Sequence, residues 1–599
     1  MFKTFLKQHD LSEFTFRSDL FPTVEDRDFW ENFQYETCVE DAEAVIDYDW
    51  PIIKATDFME YKKSGNRKIM ENIHFPRRKY VSLFAMAELI ENKGRFLPQI
   101  TNGLYTICEE TYWGISAHWH GTIGNIHPAT DPYIDLFAAE TAEHLVMIIY
   151  MLRKPLLNFC PEIVERVEYE LDRRIKTSYE KHRDYYWMAN DGSRAANWNP
   201  WILSNVLTVY LLSEKDRDRL NRGISKIFAE VQNYYDSVPA DGGCDEGPHY
   251  WTRACATLFE IIYQLKCATD GALDLFGDPK LPLMAAYMQK AHMVKDVFVN
   301  VADCHAVGQG NIMPILYLFA KETNQPQLMD FSVAVYRNKT EKESAFAGST
   351  LRRNIYNSQI VRQMDTHTVT YPIHGALESL PLMELAVLRE GDWTMSAKGG
   401  FNEEIHNHND VGSFALYDDS TPVLVDVGIS TYTRFTFEPE HRYSTVLWPQ
   451  AAYHNIPMVN GAQQQYGEQY RSDFFRASQG LVETAFPKAY EKDAGILELD
   501  RKLMLSDKGL EITDRFQFAD RTKTKITEVL MSVLPVQIVE NTAILGENYR
   551  ISANAGTFRV EQVPFEDPYL YRDWGTDFVN RILIDCENVE EICIKVEKL

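Results

Sequence analysis

The chain has few cysteines, and none of them has the paired spacing of a metal or redox motif. Its nine cysteines are scattered from Cys38 to Cys593 without a CxxC pair. An odd, dispersed set is typical of reduced, buried thiols rather than of a disulfide framework.

Long apolar runs are also absent, since the sequence contains no stretch of eighteen or more apolar residues. A bilayer-spanning helix needs such a stretch, so we expect no membrane partner. The first ten residues lack the apolar core of a signal peptide. We therefore expect a cytoplasmic protein or, if a leader has been removed, a periplasmic or secreted one.

Positive charge is scarce, because 61 Lys and Arg face 87 Asp and Glu, which gives a formal net charge of −26. This balance argues against general binding of nucleic acid or anionic membranes. It does not exclude an anionic polysaccharide, since a cleft can concentrate arginines and histidines locally. The hydrophobic content of 45% is enough for large cores, and the length allows about two to four domains.

The first part of the chain has helical periodicity. After Pro161, apolar residues recur at helical spacing up to Ile175, and proline suits the first helical position. Similar segments are separated by loops rich in glycine, proline and asparagine. Residues 1–355 are therefore predicted to form an (α/α) toroid.

Alternating apolar and polar residues dominate the second part. Two such runs flank the turn at 507–509 and predict a β-hairpin. We predict an antiparallel β-sandwich over 356–599, which makes the chain a multidomain α+β protein.

The segment 406–410 reads His-Asn-His-Asn-Asp. On a β-strand, His406 and His408 project from one face. Asp426 closes the next apolar run and can return to meet them, and His454 follows further along. Two imidazoles and a carboxylate suit a divalent metal such as zinc. One alternative is that these histidines form hydrogen bonds in a β-core; another is a cupin-like metal enzyme.

Three loop segments of the helical part mix glycines, prolines, amides, histidines and aromatics. They span residues 113–121, 196–201 and 241–251. Loops held by rigid helices often carry active sites, and aromatic rings suit stacking on sugars. The alternatives are a helix cap for Asn197, a core position for Tyr250, and a capping or ion-paired carboxylate for Glu246.

In several separated motifs the chain resembles the heparinase II/III-like polysaccharide lyases and the related alginate lyases. The motifs are Asn197-Trp198, Glu246-Gly247-Pro248-His249-Tyr250-Trp251, His406 to Phe414, Val423 to Gly428, Tyr432-Thr433-Arg434 and Tyr453-His454-Asn455. The resemblance implies an α/α toroid followed by an antiparallel β-domain, with the active site between them.

The resemblance also implies β-elimination of a uronate-containing chain, in which the C5 proton is removed and the C4–O4 bond breaks. Asn197 would neutralise the uronate carboxylate, helped by His249 or His406. Tyr250 would act as base and return the proton to O4, which requires nearby cations to lower its pKa. His406 would be the base for the opposite uronate epimer.

A structural divalent metal is implied at His408, Asp426 and His454, with zinc as first choice and manganese or calcium as alternatives. Further substrate-binding candidates are Trp198, Asn199, Glu246, His120, Arg434, Arg442 and Trp448. The two arginines are candidates because guanidinium binds sulfate and carboxylate in pairs of hydrogen bonds; the alternative is a surface ion pair.

The leading hypothesis is a lyase for glycosaminoglycans of the hyaluronan, chondroitin and heparan type. The alternatives are an alginate lyase, a toroid glycoside hydrolase using Glu246 and Asp245, and a non-catalytic carbohydrate-binding protein. The expected partner is an anionic uronate polysaccharide, and no particular oligomeric state is predicted.

Overall fold

The computed structural model describes residues 1–33, 35, 37–118, 125–307, 310–339, 350–520 and 524–599. Within this part of the chain, helices come first and strands dominate afterwards. The helices, α1 to α20 in chain order, are Phe2–Gln8, Arg27–Trp30, Cys38–Ala44, Ala55–Ser64, Lys68–Glu91, Leu97–Cys108, Leu136–Met151, Arg153–Phe159, Pro161–Leu171, Thr177–Lys181, Trp198–Ser213, Arg217–Ser237, Gly247–Trp251, Cys255–Ala268, Lys280–Lys290, Met313–Glu322, Pro326–Arg337, Leu351–Thr366, Pro439–Arg442 and Pro568–Trp574.

The strands follow mainly after residue 376. In chain order, β1 to β21 are His292–Val294, Val297–Phe298, Leu377–Leu380, Leu385–Glu390, Trp393–Lys398, Phe401–Asn402, Phe414–Asp418, Thr421–Leu424, Met458–Val459, Gly467–Arg471, Phe474–Ser478, Leu481–Ala485, Ile496–Ser506, Gly509–Phe518, Lys525–Ser532, Val536–Val539, Thr542–Leu545, Tyr549–Ala553, Thr557–Pro564, Phe578–Glu587 and Glu591–Lys598.

The helical part is built around α7 and α11, which pack against each other. Both are apolar on nearly every face, as expected of helices enclosed by other helices. Helices α12 and α14 flank α11, and all four contribute to one large apolar core. No helix of the described residues combines the length and apolarity needed to cross a bilayer.

The strands pair antiparallel in three larger sheets. The eight-stranded sheet has the order β11-β12-β13-β14-β21-β18-β17-β16, the five-stranded sheet β3-β4-β5-β7-β8, and the four-stranded sheet β19-β20-β15-β9. Inward-facing residues of all three meet in a second core, among them Met395, Leu503 and Ile582. The predicted fold class is confirmed: a helical domain precedes a domain of antiparallel sheets.

The predicted hairpin is confirmed, because β13 and β14 pair from Ile496 to Phe518 and close with Ser506 opposite Gly509. The change from helices to strands falls between Thr366 and Leu377. Helix α18, at Leu351–Thr366, therefore runs across the predicted domain boundary at 355/356. The division into two domains at this point stays a prediction.

A buried carboxylate joins α7 to the start of α18. Glu143 accepts hydrogen bonds from the backbone N–H of Arg352 at 2.8 Å and of Leu351 at 3.3 Å. Burial raises the pKa of Glu143 from 4.5 to about 7, although Arg352 opposes this rise. The folded protein therefore keeps a proton that the unfolded chain loses above its ordinary pKa.

Because Glu143 binds its proton more tightly in the folded state, its contribution to stability is complete below pH 4.5 and is lost towards pH 7. Glu143→Gln should remove this contribution. Between pH 4.5 and pH 7, we expect the free energy of unfolding to fall more steeply with pH in the wild type than in Glu143→Gln. The difference in slope should reach up to about 1.4 kcal/mol per pH unit. Urea titrations at several pH values measure the slopes. The exposed Glu165→Gln serves as control, and equal slopes for Glu143→Gln and wild type would contradict the expectation.

Candidate active site

Tyr250 projects from the short helix α13 at the edge of the helical part. The helix begins at Gly247, whose φ is +86° and where an added Cβ would lie 2.3 Å from the Cys304 sulfur. Only glycine permits this close approach and this backbone conformation. Gly247 thus lets α13 pack directly on the segment that carries Cys304 and its neighbours.

The two histidines of the 406–410 segment lie in a loop between β6 and β7. The prediction that they share the face of a β-strand is therefore wrong. His406 has a φ of +60°, in the left-handed region that a residue with a side chain rarely adopts. Buried Arg442 holds this conformation, because its guanidinium donates to the backbone oxygens of His406 and Asn407, each at 3.0 Å.

Asp303, which the sequence did not single out, links the histidines of this loop. Its Oδ2 bonds to His406 Nδ1 at 2.9 Å and accepts from the Tyr432 hydroxyl at 3.1 Å. Its Oδ1 accepts from Arg442 at 2.7 Å and bonds to His408 Nε2 at 3.3 Å. Burial favours the neutral acid, but Arg442 and the two histidines hold the pKa of Asp303 well below its usual value. The site therefore contains a buried carboxylate anion that orients both imidazoles.

The phenol of Tyr250 lies against the imidazole of His406. The two rings stack with centroids 4.4 Å apart and planes 11° apart, and the Tyr250 hydroxyl bonds to that of Tyr432 at 2.6 Å. Burial raises the pKa of Tyr250, and the negative charge of Asp303 adds to the rise. The expectation of a lowered pKa is wrong for the free protein, where Tyr250 is a protonated phenol.

Asn197 and Glu246 form a buried pair beside these rings. Glu246 accepts from the backbone N–H of Asn197 at 2.9 Å and from its side-chain amide. The amide makes no helix-cap hydrogen bond for α11, so the capping alternative does not apply. Burial raises the pKa of Glu246 to about 7, against the opposing influence of His406. This carboxyl is therefore partly protonated near neutral pH.

These groups lie in one neighbourhood. Glu246 Oε2 is 3.9 Å from His406 Nε2, so the Asn197–Glu246 pair meets the stacked rings of Tyr250 and His406. The His406 side chain is 19% exposed, and Tyr250 is partly exposed. An amide and a phenol from the helical part thus face an imidazole from the strand-rich part, as the sequence predicted.

His249 lies next to Tyr250 on α13. Its ring packs edge-on against Tyr250 at 5.4 Å and against His305 at 5.2 Å. Burial lowers the pKa of His249 to about 3. His249 is therefore a neutral imidazole at physiological pH and brings no positive charge to the site.

Of the aromatic candidates, Trp198 lies near Asn197 and is partly exposed. Its ring contacts His118 at 4.6 Å and Tyr186 at 5.1 Å. Tyr186 is 53% exposed, so Trp198 packs beside an exposed ring and is itself partly exposed. Trp198 remains a candidate for stacking on a sugar. His120 lies outside the described residues.

Other candidates are not brought to the cluster. Asn199 is buried and donates to backbone oxygens of Trp187 and Glu230, each at 3.1 Å. Trp448 belongs to the apolar core beneath the four-stranded sheet. Their contacts are those of supporting residues, because Asn199 donates to backbone oxygens and Trp448 packs in an apolar core.

The two arginine candidates have different settings. Arg434 is 44% exposed and pairs with Glu438 at 3.3 Å, as in the alternative of a surface ion pair. Arg442 is buried, and its nitrogens bond to Asp303 and to the backbone oxygens of Thr436, His406 and Asn407. Arg442 thus supports the His406 loop, and its predicted contact with substrate remains a prediction.

His408, Asp426 and His454 form a cluster suited to a metal ion. All three are buried, and each offers a ligand atom within 4.8 Å of the others. His408 Nδ1 and His454 Nε2 are buried atoms with no hydrogen-bond partner among the described residues. The other nitrogen of His408 faces Asp303, which is the usual partner of a metal-bound imidazole. The donor set and these two unpaired nitrogens fit a divalent cation such as zinc.

Replacement of His454 by alanine should abolish tight zinc binding, because two protein ligands rarely hold this ion. After zinc loading and dialysis, we expect about one zinc per wild-type chain and almost none in the variant, measured by mass spectrometry of the metal. His441→Ala is the matched control, since His441 is 40% exposed and pairs with Glu438 and Glu440, away from the three proposed ligands. Equal zinc content in all three proteins would contradict the assignment.

Comparison with known proteins finds a family that is similar to part of the chain. Residues 373–563 match the family described as heparinase II/III-like, C-terminal. This part of the chain is similar to the C-terminal domain of that family. The resemblance inferred from the motifs is confirmed, although no curated protein matches the chain in sequence.

Solved structures with this fold extend the similarity beyond residues 373–563. A heparinase III shares 12% identity at a TM-score of 0.61 and covers 94% of this chain and 89% of its own. The heparan sulfate lyase of Pedobacter heparinus shares 11% identity at 0.55, covering 89% and 77%. The chondroitin AC lyase of Streptomyces coelicolor, solved with chondroitin sulphate, shares 10% identity at 0.54, covering 91% and 78%. At such identities the similarity establishes a common fold.

Proposed function

We propose that the protein is a polysaccharide lyase that cleaves uronate-containing glycosaminoglycans by β-elimination. The supporting observation is the convergence of Asn197, Glu246 and Tyr250 from the helical part with His406 from the strand-rich part. The solved structures that share the fold include a heparan sulfate lyase and a chondroitin AC lyase. Their names agree with the chemistry that these four residues favour.

The first requirement of β-elimination is to acidify the C5 proton of the uronate. While the neighbouring carboxylate keeps its charge, a carbanion at C5 is very unfavourable. A protonated Glu246, with a pKa of about 7, donates a hydrogen bond to that carboxylate without adding negative charge, as neutral carboxylic acids do in other enolising sites. Asn197 holds Glu246 in place, because its backbone N–H and its side-chain amide both donate to this carboxyl group.

The second requirement is a base at C5 and an acid at O4. His406 is the proposed base: Asp303 holds its Nδ1, which leaves Nε2 to accept the proton, as in other Asp–His pairs. The C5–H electrons form the C4=C5 double bond and the C4–O4 bond breaks. Tyr250, a protonated phenol beside His406, gives its proton to O4. After product release the proton on His406 passes back to Tyr250 and restores the site.

The three proposed metal ligands lie next to the residues that orient His406. When a divalent cation is bound by His408, Asp426 and His454, it joins the three loops that carry these residues and supplies structural support rather than reaction chemistry. His408 also bonds to Asp303, so both the backbone and the carboxylate that orient His406 depend on this cluster.

An ultraviolet absorbance assay tests the proposal, because elimination creates a C4=C5 double bond conjugated with the carboxylate. We expect new absorbance with at least one of hyaluronan, chondroitin sulfate and heparan sulfate. Absorbance with alginate alone would move the substrate class to alginate. New reducing ends without absorbance would favour a hydrolase that uses Glu246 and Asp245. The ion pair of Asp245 with Arg194 at 2.5 Å argues against this role for Asp245. Binding without any chain break would contradict enzymatic function.

A further inference from the structure

Helix α20 is inserted between β19 and β20 and contacts the segment that leads to Tyr432. Asp567 at its start accepts from the backbone N–H of Thr431 at 2.8 Å, and Trp574 at its end donates to the backbone oxygen of Val427 at 3.0 Å. Both contacts fix α20 against the segment that carries Tyr432, the partner of Tyr250. The helix is thus docked beside the candidate active site.

An aspartate of α20 holds a histidine from the helical part. Asp573 Oδ2 bonds to His305 Nδ1 at 2.7 Å, and the Asp573 side chain is only 1% exposed. Its other oxygen accepts from Arg572 at 2.7 Å. His305 follows Asp303 by two positions. One segment therefore supplies the carboxylate that bonds to His406 and the imidazole that contacts His249 of α13.

Five aromatic rings form a continuous series of contacts from His406 to α20. His406 stacks on Tyr250, Tyr250 contacts His249, and His249 packs edge-on against His305 at 5.2 Å. Tyr569 of α20 completes the series, with its ring 5.4 Å from that of His305. His305 therefore lies two ring contacts from Tyr250.

His305 and Arg572 have donors left for a ligand. Asp573 occupies Nδ1 of His305, Nε2 bonds to no other described residue, and the imidazole is 14% exposed. Arg572 is 42% exposed and uses Nε and one terminal nitrogen on Asp573. An imidazole and a guanidinium that are both held by one buried carboxylate offer nitrogen donors that suit an anion.

We propose that His305, Arg572 and Tyr569 form a subsite for a second anionic group of the polysaccharide, a sulfate ester or a carboxylate on a sugar next to the cleavage point. The anion accepts from His305 Nε2 and the free nitrogen of Arg572, and Tyr569 packs against the sugar. This subsite rests on the proposed function, because it takes the same polymer. None of its members takes part in the elimination step.

Binding measurements test the subsite independently of turnover. Titration calorimetry uses proteins that all carry Tyr250→Phe, so that the probes are not cleaved, with either wild-type residues elsewhere, His305→Gln or Arg572→Gln. The probes are oligosaccharides of chondroitin sulfate and heparan sulfate and their desulfated forms. We expect each variant to bind the sulfated probes at least roughly tenfold more weakly, the effect of losing one charged hydrogen bond. If the anion is a sulfate, the desulfated probes show almost no difference between variant and wild type. If it is a carboxylate, both forms lose affinity equally.

The exposed Arg572 keeps the test valid even if His305→Gln fails to fold. Arg550→Gln is the control for removal of a surface charge, because Arg550 is 46% exposed and pairs with Glu597 on the eight-stranded sheet. Unchanged affinity in both test variants would overturn the subsite. Weakened binding together with no unsaturated product from wild type would retain the subsite and refute the lyase.

Discussion

Replacing Tyr250 with phenylalanine is expected to lower the turnover number for elimination by roughly 10²- to 10⁴-fold, the usual contribution of a positioned general acid. Phenylalanine keeps the stacking on His406 and removes only the hydroxyl, so O4 would have to leave as an alkoxide. The affinity for substrate should change little. Initial rates from ultraviolet absorbance measure the effect.

The matched control is Tyr169→Phe, since Tyr169 is 61% exposed on α9. It should behave as wild type. If Tyr250→Phe kept more than a tenth of the wild-type turnover number, the phenol would not be the proton donor, and His406 would have to serve as both base and acid.

Asp303→Asn is expected to affect both activity and stability. Asparagine keeps the shape but loses the charge, so His406 loses the acceptor that fixes its ring and stabilises its protonated form. We expect a loss of roughly 10²- to 10⁴-fold in turnover number, as for other Asp–His pairs. Arg442, 7% exposed, would lose its charged partner, which costs about 3–5 kcal/mol in the free energy of unfolding.

Urea denaturation and initial rates at a temperature where the variant is folded separate these two effects. Asp507→Asn, at the exposed turn of the β13–β14 hairpin, is the control for loss of a carboxylate. A variant that unfolds more easily yet keeps its turnover number would restrict Asp303 to a structural role and would remove it from the proposed mechanism.

The sequence predicted the fold class and most of the cluster for physical reasons. Period-two alternation from Ile496 to Phe518 is unambiguous, because a buried face fixes the register of a hairpin. The motif residues of the metal cluster also meet, although they come from separate loops. They could be predicted because imidazole and carboxylate groups are common metal ligands, and the residue types are visible in the sequence.

The local geometry around His406 could not be predicted in the same way. An i, i+2 spacing implies a strand only where alternation continues, and the residues around it are buried amides and acids, Asn407, Asn409 and Asp410. Their hydrogen bonds and Arg442 stabilise a left-handed backbone at His406. Tertiary contacts thus override the local pattern.

Asp303 was missed because nothing near it in sequence marks its role. It lies 103 residues from His406 and is flanked by buried Val301, Ala302 and Cys304. Its function depends on a long-range approach between the helical and strand-rich parts, which no periodicity encodes. The expectation of a lowered pKa for Tyr250 was likewise wrong, because burial and the nearby carboxylate of Asp303 raise it.

The most direct test of the central claim is to cleave the preferred polysaccharide in water labelled with heavy oxygen and weigh the products by mass spectrometry. Elimination through His406 and Tyr250 predicts fragments without heavy oxygen, each break giving one new end that is lighter by one water and carries a C4=C5 double bond. Saturated ends with one heavy oxygen per break would contradict the account.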